Sequence, residues 1–433
     1  MRHARKGTTW LSVCAVALLS GCLDGGDGAE ASRGASDPAK ATTLSQKEAS
    51  ESAIIADLMR RESVIVPGSP YAKVTDAVLA ANARAAEADL RAARLRAVAA
   101  EKNWLPTIGP SVSLSSLGDL VTSLIVEQVL FDNGRKKAER VFAAADVEYA
   151  AVVLSEDSNA RVLTALSLYL ASEQGRAEAE VSARAMQKMK HFECVMQKRV
   201  DGGVSDRSQL AVMSQKRAEL EADLHEGVET AAAALAELNA MSVRPLEDLR
   251  GRTGVRNTGS NVEPLGVLKA EADKTRIVAQ AKMDRAGFLP GVKASQQLGD
   301  GGDGALTVGA DNGFGFGTAA NLKALKAAED GAERAVSQAR EDSARALARL
   351  RQNLIAQERQ EGEQKALAAR AKDNFEIFDR QYESGTRQVL EVANTFETWI
   401  DAERERVQTS YKVSLTRLKI AAALGQLVDG SRI

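Results

Sequence analysis

Apolar residues recur every three or four positions along the last quarter of the chain. This stretch runs from about residue 318 to residue 423 without a proline, which predicts helix throughout. Ser384-Gly385 is its one expected turn, because glycine reaches left-handed backbone angles at little cost. The apolar stripe beyond that turn consists of Val389, Ala393, Phe396, Ile400, Val407, Tyr411, Leu415, Leu418 and Ala422. The pattern predicts a long helical hairpin with Gly385 at its tip.

A second helical hairpin is predicted earlier in the chain. Residues 134–199 contain no proline, and Gly203 follows in a glycine pair that ends the helical pattern. The apolar stripe after this turn consists of Leu210, Met213, Leu220, Leu224, Ala231, Leu235 and Leu238. Two sequence motifs of the first half recur in the second half at nearly the same distance along the chain. Trp104-Leu-Pro106 corresponds to Phe288-Leu-Pro290, and Phe131-Asp-Asn-Gly134 corresponds to Phe314-Gly-Phe-Gly317. The chain therefore contains two copies of one unit.

Two pairs of short alternating segments lie between the predicted helices. In the first pair, apolar Val112 and Leu114 alternate with serines, which is the pattern of a strand with two different faces. The β-hairpins are expected at residues 107–131 and 291–316, with strands at 107–117, 121–131, 291–299 and 305–316. Residues 71–103 contain no breaker and are expected to form one helix, which Leu105-Pro106 ends.

The first 21 residues have the anatomy of a lipoprotein signal peptide. A basic start precedes an apolar core, and Leu19-Ser-Gly-Cys22 places small residues before a cysteine. Cys22 is therefore the expected lipidated first residue of the mature protein, and an ordinary secretory signal cut nearby is the alternative. Leu23 follows the cysteine instead of an aspartate, which favours sorting to the outer membrane. Residues 22–69 are rich in Gly, Asp, Ser and Ala and are expected to be a flexible tether.

The duplication divides the rest of the chain. The first repeat is expected at residues 70–245, an irregular linker at 246–263, the second repeat at 264–428 and a short tail at 429–433. The predicted fold class is mainly α with a small β part, built from duplicated long helical hairpins and two β-hairpins.

Composition and hydropathy exclude several classes of protein. Lys and Arg number 57 against 59 Asp and Glu, so nothing indicates a nucleic-acid partner. No apolar run of about 18 residues follows the signal, so any membrane crossing has to use strands. The smallest closed membrane barrel has about eight strands, and open strand edges are costly in hydrocarbon. Four strands per chain therefore predict an obligate oligomer.

No catalytic or metal-binding set stands out. No Ser-His-acid arrangement or carboxylate pair is apparent, so the chain is not expected to be an enzyme, and no cofactor is expected. Residues 299–304 are interpreted as a hairpin loop, because a glycine- and aspartate-rich calcium repeat requires stacked copies. Cys194 lies within helical residues and is expected to be a small packing residue.

Taken together, the landmarks resemble those of the TolC-type outer-membrane efflux proteins. The resemblance covers residues 71–427 and rests on the Trp-Leu-Pro motif, the Leu-Phe-Asp-Asn-Gly-Arg motif after the second strand, and the two helical tips. It implies a homotrimer in which four strands from each chain close a twelve-stranded transmembrane barrel. The helices then continue as a tapered tunnel through the periplasm.

The resemblance also implies roles for residues near the tips. Tyr382 and Arg387 match the family's entrance latch, and Gln209 stands where the family carries the latch carboxylate. Glu391 and Asn394 match the two acidic positions of the pore constriction, so one carboxylate per chain remains there. Both the latch and the cation selectivity are therefore expected to be weaker in this protein than in the family.

The implied function is that of a passive exit duct in the outer membrane, belonging to a tripartite efflux pump or a type I secretion system. The expected partners are a periplasmic adaptor, an inner-membrane pump of the RND or ABC type, and outer-membrane lipid. The alternative is a lipid-anchored periplasmic adaptor or structural coiled coil that forms no barrel.

Overall fold

The computed structural model describes residues 52–81, 85–114, 120–257, 262–298, 304–313 and 315–432. The predicted signal peptide, Cys22 and the tether up to residue 51 lie outside the described residues. The described chain is mainly helical with one small sheet, as the sequence predicted.

The helices and strands alternate in the order that a duplicated unit requires. The helices are α1 (Ala53–Met59), α2 (Pro70–Ala80), α3 (Ala85–Glu101), α4 (Arg135–Asp201), α5 (Arg207–Ala240), α6 (Leu265–Gly287), α7 (Thr318–Glu383) and α8 (Val389–Ala423). The strands are β1 (Thr107–Leu114), β2 (Leu120–Phe131), β3 (Gly291–Leu298) and β4 (Gly304–Gly309). With 67 residues in α4 and 66 in α7, each of these two helices is about 100 Å long.

Both helical hairpins turn in the same way. Gly203 and Gly385 have φ angles of 72° and 79°, in the left-handed region that glycine adopts most easily. The residue after each glycine donates its backbone N–H to the carbonyl five positions back, over 2.8 Å at the first tip and 2.9 Å at the second. This is the Schellman arrangement, which satisfies carbonyl groups that a helix end leaves without partners.

The two long helices occupy different positions. α4 packs against α3, α5, α6 and α8 and buries residues along its whole length, including Leu154, Leu166 and Tyr169. α7 packs mainly against α6 and α8. Its buried residues are Ala332, Val336, Leu347, Ala368 and Phe375. The first long helix is therefore central in the chain, and the second lies at one side with much of its surface exposed.

The end of the expected tether belongs to the folded body, so the tether interpretation is wrong for residues 52–69. Ile55, Leu58, Val64 and Ile65 are buried in the main hydrophobic cluster. Apolar side chains at these four positions contribute burial that the glycine-rich residues before them do not offer.

Arg61 holds this segment in place. Its guanidinium donates to the carbonyl oxygens of Leu424 and Glu263, each over 2.7 Å, and pairs with Asp57 at 2.7 Å. The side chain is only 2% exposed, so the three acceptors compensate for the loss of its hydration. One buried arginine therefore joins the N-terminal segment, the linker and the end of α8.

The helix expected at residues 71–103 is interrupted, which corrects that prediction. α2 ends at Ala80, and Ala81 has an extended backbone with ψ of 104°. Two carbonyl groups near that end accept hydrogen bonds from elsewhere, Val78 from Arg161 and Ala77 from the N–H of Val243, each over 3.2 Å. Residues distant in sequence therefore supply the hydrogen bonds that these carbonyl groups would otherwise receive from a further turn of helix.

The four strands form one antiparallel sheet in the order β1-β2-β3-β4. The β2–β3 pair joins the hairpins of the two repeats. β4 ends at Gly309 and not near residue 316 as expected, because the chain leaves the sheet and the N–H of Asn312 donates to the carbonyl of Gly287 over 2.8 Å. Within the described residues, no helix is both long enough and apolar enough to cross a membrane.

Candidate functional site: a two-faced sheet and a helical tip

One face of the sheet is mainly apolar on all four strands, and the register also places Gln128 and Gln296 on it. Residues two apart on a strand share a face, and so do residues paired across strands. The register pairs Ile108 with Val126, Leu124 with Leu298, Ala294 with Leu306, and Val292 with Val308. These eight residues form what we call the apolar face. Leu306 and Val308 are each 66% exposed, so in the single chain this face is open.

The opposite face carries most of the polar and charged side chains of the sheet, together with Ile125, Val129 and Ala305. Thr107, Glu127 and Ser295 lie in register across β1, β2 and β3, and Lys293 pairs with Thr307. We call these five residues the polar face. The Lys293 ammonium lies 2.8 Å from an Asp311 oxygen and 3.9 Å from a Glu127 oxygen. The two faces therefore suit two different surroundings, one apolar and one aqueous.

Large apolar side chains surround the junction between the strands and the helices. Trp104 is 61% exposed and Phe131 is 56% exposed. Leu105, Leu130 and Leu289 are exposed at the same level of the fold. Aromatic residues that are open to solvent at the end of an apolar band are typical of a membrane–water interface.

The single chain leaves both sheet edges unpaired and much of one long helix exposed. Among the described residues, β1 pairs with β2 alone and β4 with β3 alone, so two edges keep unpaired backbone groups. α7 also exposes Ile355, Leu367 and Ile377. Open edges of this kind pair readily with another chain.

At the second helical tip, Arg387 is the centre of a small polar network. One guanidinium nitrogen donates to Glu391 Oε2 over 3.0 Å, and Nε donates to Gln381 Oε1 over 3.0 Å. The guanidinium carbon also lies 4.6 Å from the centre of the Phe378 ring. The network ties the end of α7 to the start of α8 across Gly385.

The residues predicted for the constriction and the latch lie at several places around the helical tips. Glu391 and Asn394 are exposed on one side of α8, whereas Val392 and Phe396 on the other side are buried. Tyr382 is half-buried against the neighbouring apolar cluster. Within the part of the chain that the structure describes, neither Tyr382 nor Arg387 has a hydrogen bond to Gln209. The structure brings Arg387 and Glu391 together, and Gln209 lies apart on α5.

An aromatic cluster that the sequence analysis missed lies behind the tip. Phe375 of α7 stacks on Trp399 of α8 at 5.4 Å, and Phe192 of α4 meets Phe396 edge to face at 5.9 Å. Lys188 of α4 pairs with Asp379 of α7 at 2.9 Å. The cluster therefore joins three helices just behind the tip. Its sequence signal was the presence of aromatic residues at matching depths in the two hairpins.

Ion pairs join the two returning helices. Lys216 and Asp223 of α5 pair with Glu397 and Arg404 of α8, respectively. Burial raises the pKa of the Asp401 carboxyl between these pairs, and the neighbouring Glu397 carboxylate raises it further.

Cys194 is exposed on α4, so the expectation that it packs inside is wrong. Cys194 comes two residues after buried Phe192 and lies on a different side of the helix. The sequence did not indicate that Cys194 is exposed, because the apolar residues of α4 allowed several positions for the buried stripe of the helix.

Neither the protein-family models nor the curated proteins give a match to the sequence. Among solved structures, the fold is similar to a membrane protein from Pseudomonas aeruginosa, with 17% identity, a TM-score of 0.73 and coverage of 84% of this chain and 92% of that one. The fold is also similar to the Campylobacter jejuni CmeC outer membrane channel, with 12% identity, a TM-score of 0.70 and coverage of 83% of this chain and 86% of that one. For the open state of the Neisseria gonorrhoeae MtrE outer membrane channel, the identity is 16%, the TM-score is 0.69, and the coverage is 86% of this chain and 95% of that one. The predicted resemblance is thereby confirmed at the level of the fold.

Proposed function

We propose that this chain, which has the fold of TolC-type outer-membrane channels, is one protomer of an exit duct in the outer membrane. The observation that carries the proposal is a sheet with one apolar face, one polar face and two unpaired edges, located at the end of helices about 100 Å long. Hydrocarbon does not tolerate unpaired backbone groups, so such a sheet has to close with further copies of itself.

Three copies close the sheet in this proposal. β4 of each protomer pairs with β1 of the next, and twelve strands form the barrel. The apolar face contacts lipid, and the polar face with Lys293 and Glu127 lines the lumen. The exposed side of α7 packs against the next protomer, which covers Ile355 and Leu367. The helices then enclose a tunnel in the periplasm.

Transport through the duct is passive. The lumen needs to be wide and polar, while an inner-membrane pump of the RND or ABC type supplies the energy through a periplasmic adaptor. The duct serves a tripartite efflux pump or a type I secretion system. The likeness of the fold to outer membrane channels such as CmeC and MtrE supports this role.

The second helical tip forms the periplasmic entrance. Gly203 and Gly385 let the two hairpins turn, and Tyr382, Arg387 and Gln209 act as the latch between neighbouring coils. Glu391 and Asn394 line the constriction. The exposure of Glu391 and Asn394 on one side of α8 supports that placement.

A lipid anchor on Cys22 attaches the mature chain to the outer membrane. Multiple acyl chains add affinity at about 0.8 kcal/mol per buried methylene. Labelling cells with a radioactive fatty acid should mark the wild-type protein but not Cys22→Ser. Equal labelling of the two would contradict the anchor.

One observation favours the alternative of an adaptor or coiled coil without a barrel. β3 has 8 residues and β4 has 6, whereas a membrane-spanning strand takes about 9–11. The full-length protein in detergent distinguishes the two functions. A duct should purify as a β-containing trimer that opens single channels in planar bilayers. A monomer without a β signal in circular dichroism, and without channels, would establish the alternative.

A further inference from the structure

A groove of about 620 Å³ lies between the start of α4 and the end of α6, directly below the sheet. Its floor is apolar and includes Val141, Val278 and Leu289. Its rim carries four cationic side chains, which are those of Lys137, Lys274, Lys282 and Arg285. A surface with an apolar floor and a basic rim fits a ligand that has an apolar body and an anionic head.

Three of the four cations have no ion pair with an acid among the residues that the structure describes. Lys274 lies 3.5 Å from Glu333. Lys137, Lys282 and Arg285 have neither an ion pair nor a hydrogen bond with any described residue. The groove therefore has a surplus of positive charge, which a bound anion would complement.

The groove opens on the same side of the fold as the apolar face. On α4, Arg135 and Glu139 point to the polar face, because Arg135 pairs with both Glu139 and Asp311. Lys137 and Val141 follow those two residues by two positions each, which places them roughly 200° around the helix axis. Lys137 and Val141 therefore lie on the opposite side from the polar face.

Two of the cations lie at the same depth below the strands. Lys137 comes six residues after Phe131, the last residue of β2, and Arg285 comes six residues before Gly291, the first of β3. Three of the six residues in each case lie outside the helix, so Lys137 is about 3 Å inside the first turn of α4 and Arg285 about 3 Å inside the last turn of α6, at about 1.5 Å per helical residue. Lys282 is one helical turn deeper. Lipid headgroups extend about 5–8 Å beyond the hydrocarbon core of a bilayer, so long cationic side chains at this depth reach them.

We propose that this groove binds an anionic phospholipid of the periplasmic leaflet. The inference rests on the proposed function, which places the apolar face in lipid and the helices in the periplasm. Lys137, Lys282 and Arg285 bind the phosphate, and one acyl chain passes over Leu289 to the apolar face. The acyl groups on Cys22 are a poorer occupant, because a diacylglyceryl anchor carries no phosphate to match the three cations.

The test uses the full-length protein in nanodiscs of phosphatidylcholine, with or without phosphatidylglycerol, and native mass spectrometry counts the lipids that stay bound. The wild type should retain phosphatidylglycerol in preference to phosphatidylcholine. Lys137→Gln, Lys282→Gln and Arg285→Gln together should lower that affinity on the order of a hundredfold, since each cation near an anionic lipid contributes about fivefold. The three substitutions Lys137→Arg, Lys282→Arg and Arg285→Lys keep the positive charge at each position and should preserve binding.

A matched control removes the same charge elsewhere. Arg244, Lys412 and Lys419 are exposed and far from the sheet in sequence, and their triple change to Gln should leave the preference for phosphatidylglycerol intact. Equal loss in the control, or no loss in the groove variant, overturns the inference. So does a preference that appears only in Cys22→Ser, because the anchor would then occupy the groove.

Failure of this inference can be told apart from failure of the proposed function. A trimer that inserts into nanodiscs and conducts ions, yet shows no preference between the two lipids, overturns the lipid site alone. A chain that neither inserts nor forms oligomers overturns both.

Discussion

Gly175 of α4 and Gly227 of α5 bring the backbones of the two helices into direct contact. A Cβ atom on Gly175 would lie 2.6 Å from the carbonyl oxygen of Gly227, and one on Gly227 would lie 2.8 Å from the carbonyl oxygen of Gly175. Ala179 and Ala231 follow one turn later and keep the crossing narrow. Small residues four apart on both helices therefore set how closely the first hairpin closes.

Gly175→Ala should destabilise the protein. The atoms that a new Cβ would meet belong to the backbone of α5, so the helices have to separate, at a cost of about 1–3 kcal/mol in the free energy of unfolding. Denaturant titration of the purified protein measures the change. Gly362→Ala is the matched control, because Gly362 lies in a helix with nothing within 4 Å of a new Cβ. There the substitution should stabilise by about 0.5–1 kcal/mol. Equal effects at the two sites would contradict the close contact.

Lysine at position 308 should hinder insertion, whereas lysine at position 307 should not. Val308 and Thr307 are neighbours in β4, both are exposed, and they lie on opposite faces of the sheet. A lysine on the lipid side costs about 2–4 kcal/mol at mid-bilayer, and less near the interface. The measurement is the urea dependence of folding into lipid vesicles. Equal tolerance of Val308→Lys and Thr307→Lys would mean that the apolar face does not contact lipid.

The helical tips were predictable from sequence, and the helix crossing was not. A glycine at positive φ ends a helix for local reasons, so Gly203 and Gly385 could be identified from the chain around them. The role of Gly175 depends on which face of α5 it meets, which is a property of the packed helices. Strand alternation predicted the apolar face for the same local reason.

The other differences also come from contacts between distant residues. The folded segment before α2 depends on Arg61, whose acceptors lie in the linker and at the end of α8. The break after Ala80 depends on Arg161 and Val243. At the tip, the sequence named Arg387 and Glu391, but their pairing within one chain required the geometry of the turn.

The protein should lose stability at high pH through buried tyrosines. Tyr71 meets Tyr169 edge to face at 6.0 Å, and burial raises the pKa of Tyr71 from 10.0 to about 12. Because the folded pKa is above the unfolded one, this stabilisation is complete below pH 10 and is lost as the pH rises towards 12. Tyr71→Phe keeps the ring and removes the ionisable group. Its alkaline unfolding midpoint, followed by circular dichroism, should therefore be higher than that of the wild type. An unchanged midpoint would exclude Tyr71 as a cause.

Glu391→Ala should reduce the cation selectivity of the reconstituted channel. In the proposed trimer, three copies of this exposed carboxylate surround a narrow axis and concentrate negative potential, because walls of low dielectric focus the field. Reversal potentials in planar bilayers, together with block by divalent cations, measure the effect. Glu383→Ala, which removes an exposed carboxylate just before the turn, serves as the control and should change selectivity less. If Glu391→Ala leaves both quantities as in the wild type, Glu391 does not line the pore.

Arg387→Ser should raise conductance and, unlike Glu391→Ala, increase cation selectivity. The arginine bonds both Gln381 and Glu391 over 3.0 Å, so its loss frees the end of α7 from α8 and leaves Glu391 without its nearest cation. The Arg387–Glu391 pair is 40% and 47% exposed, and such a pair contributes only about 0.3–0.5 kcal/mol. The increase in conductance is then expected to come mostly from loss of the Gln381 contact and of the proposed latch with neighbouring coils. Arg387→Lys separates the two effects, because lysine keeps the charge but lacks the planar fork that reaches Gln381 and Glu391 together. It should raise conductance while selectivity stays near that of the wild type. If Arg387→Lys leaves conductance as in the wild type, Arg387 acts through its charge alone and is not a latch.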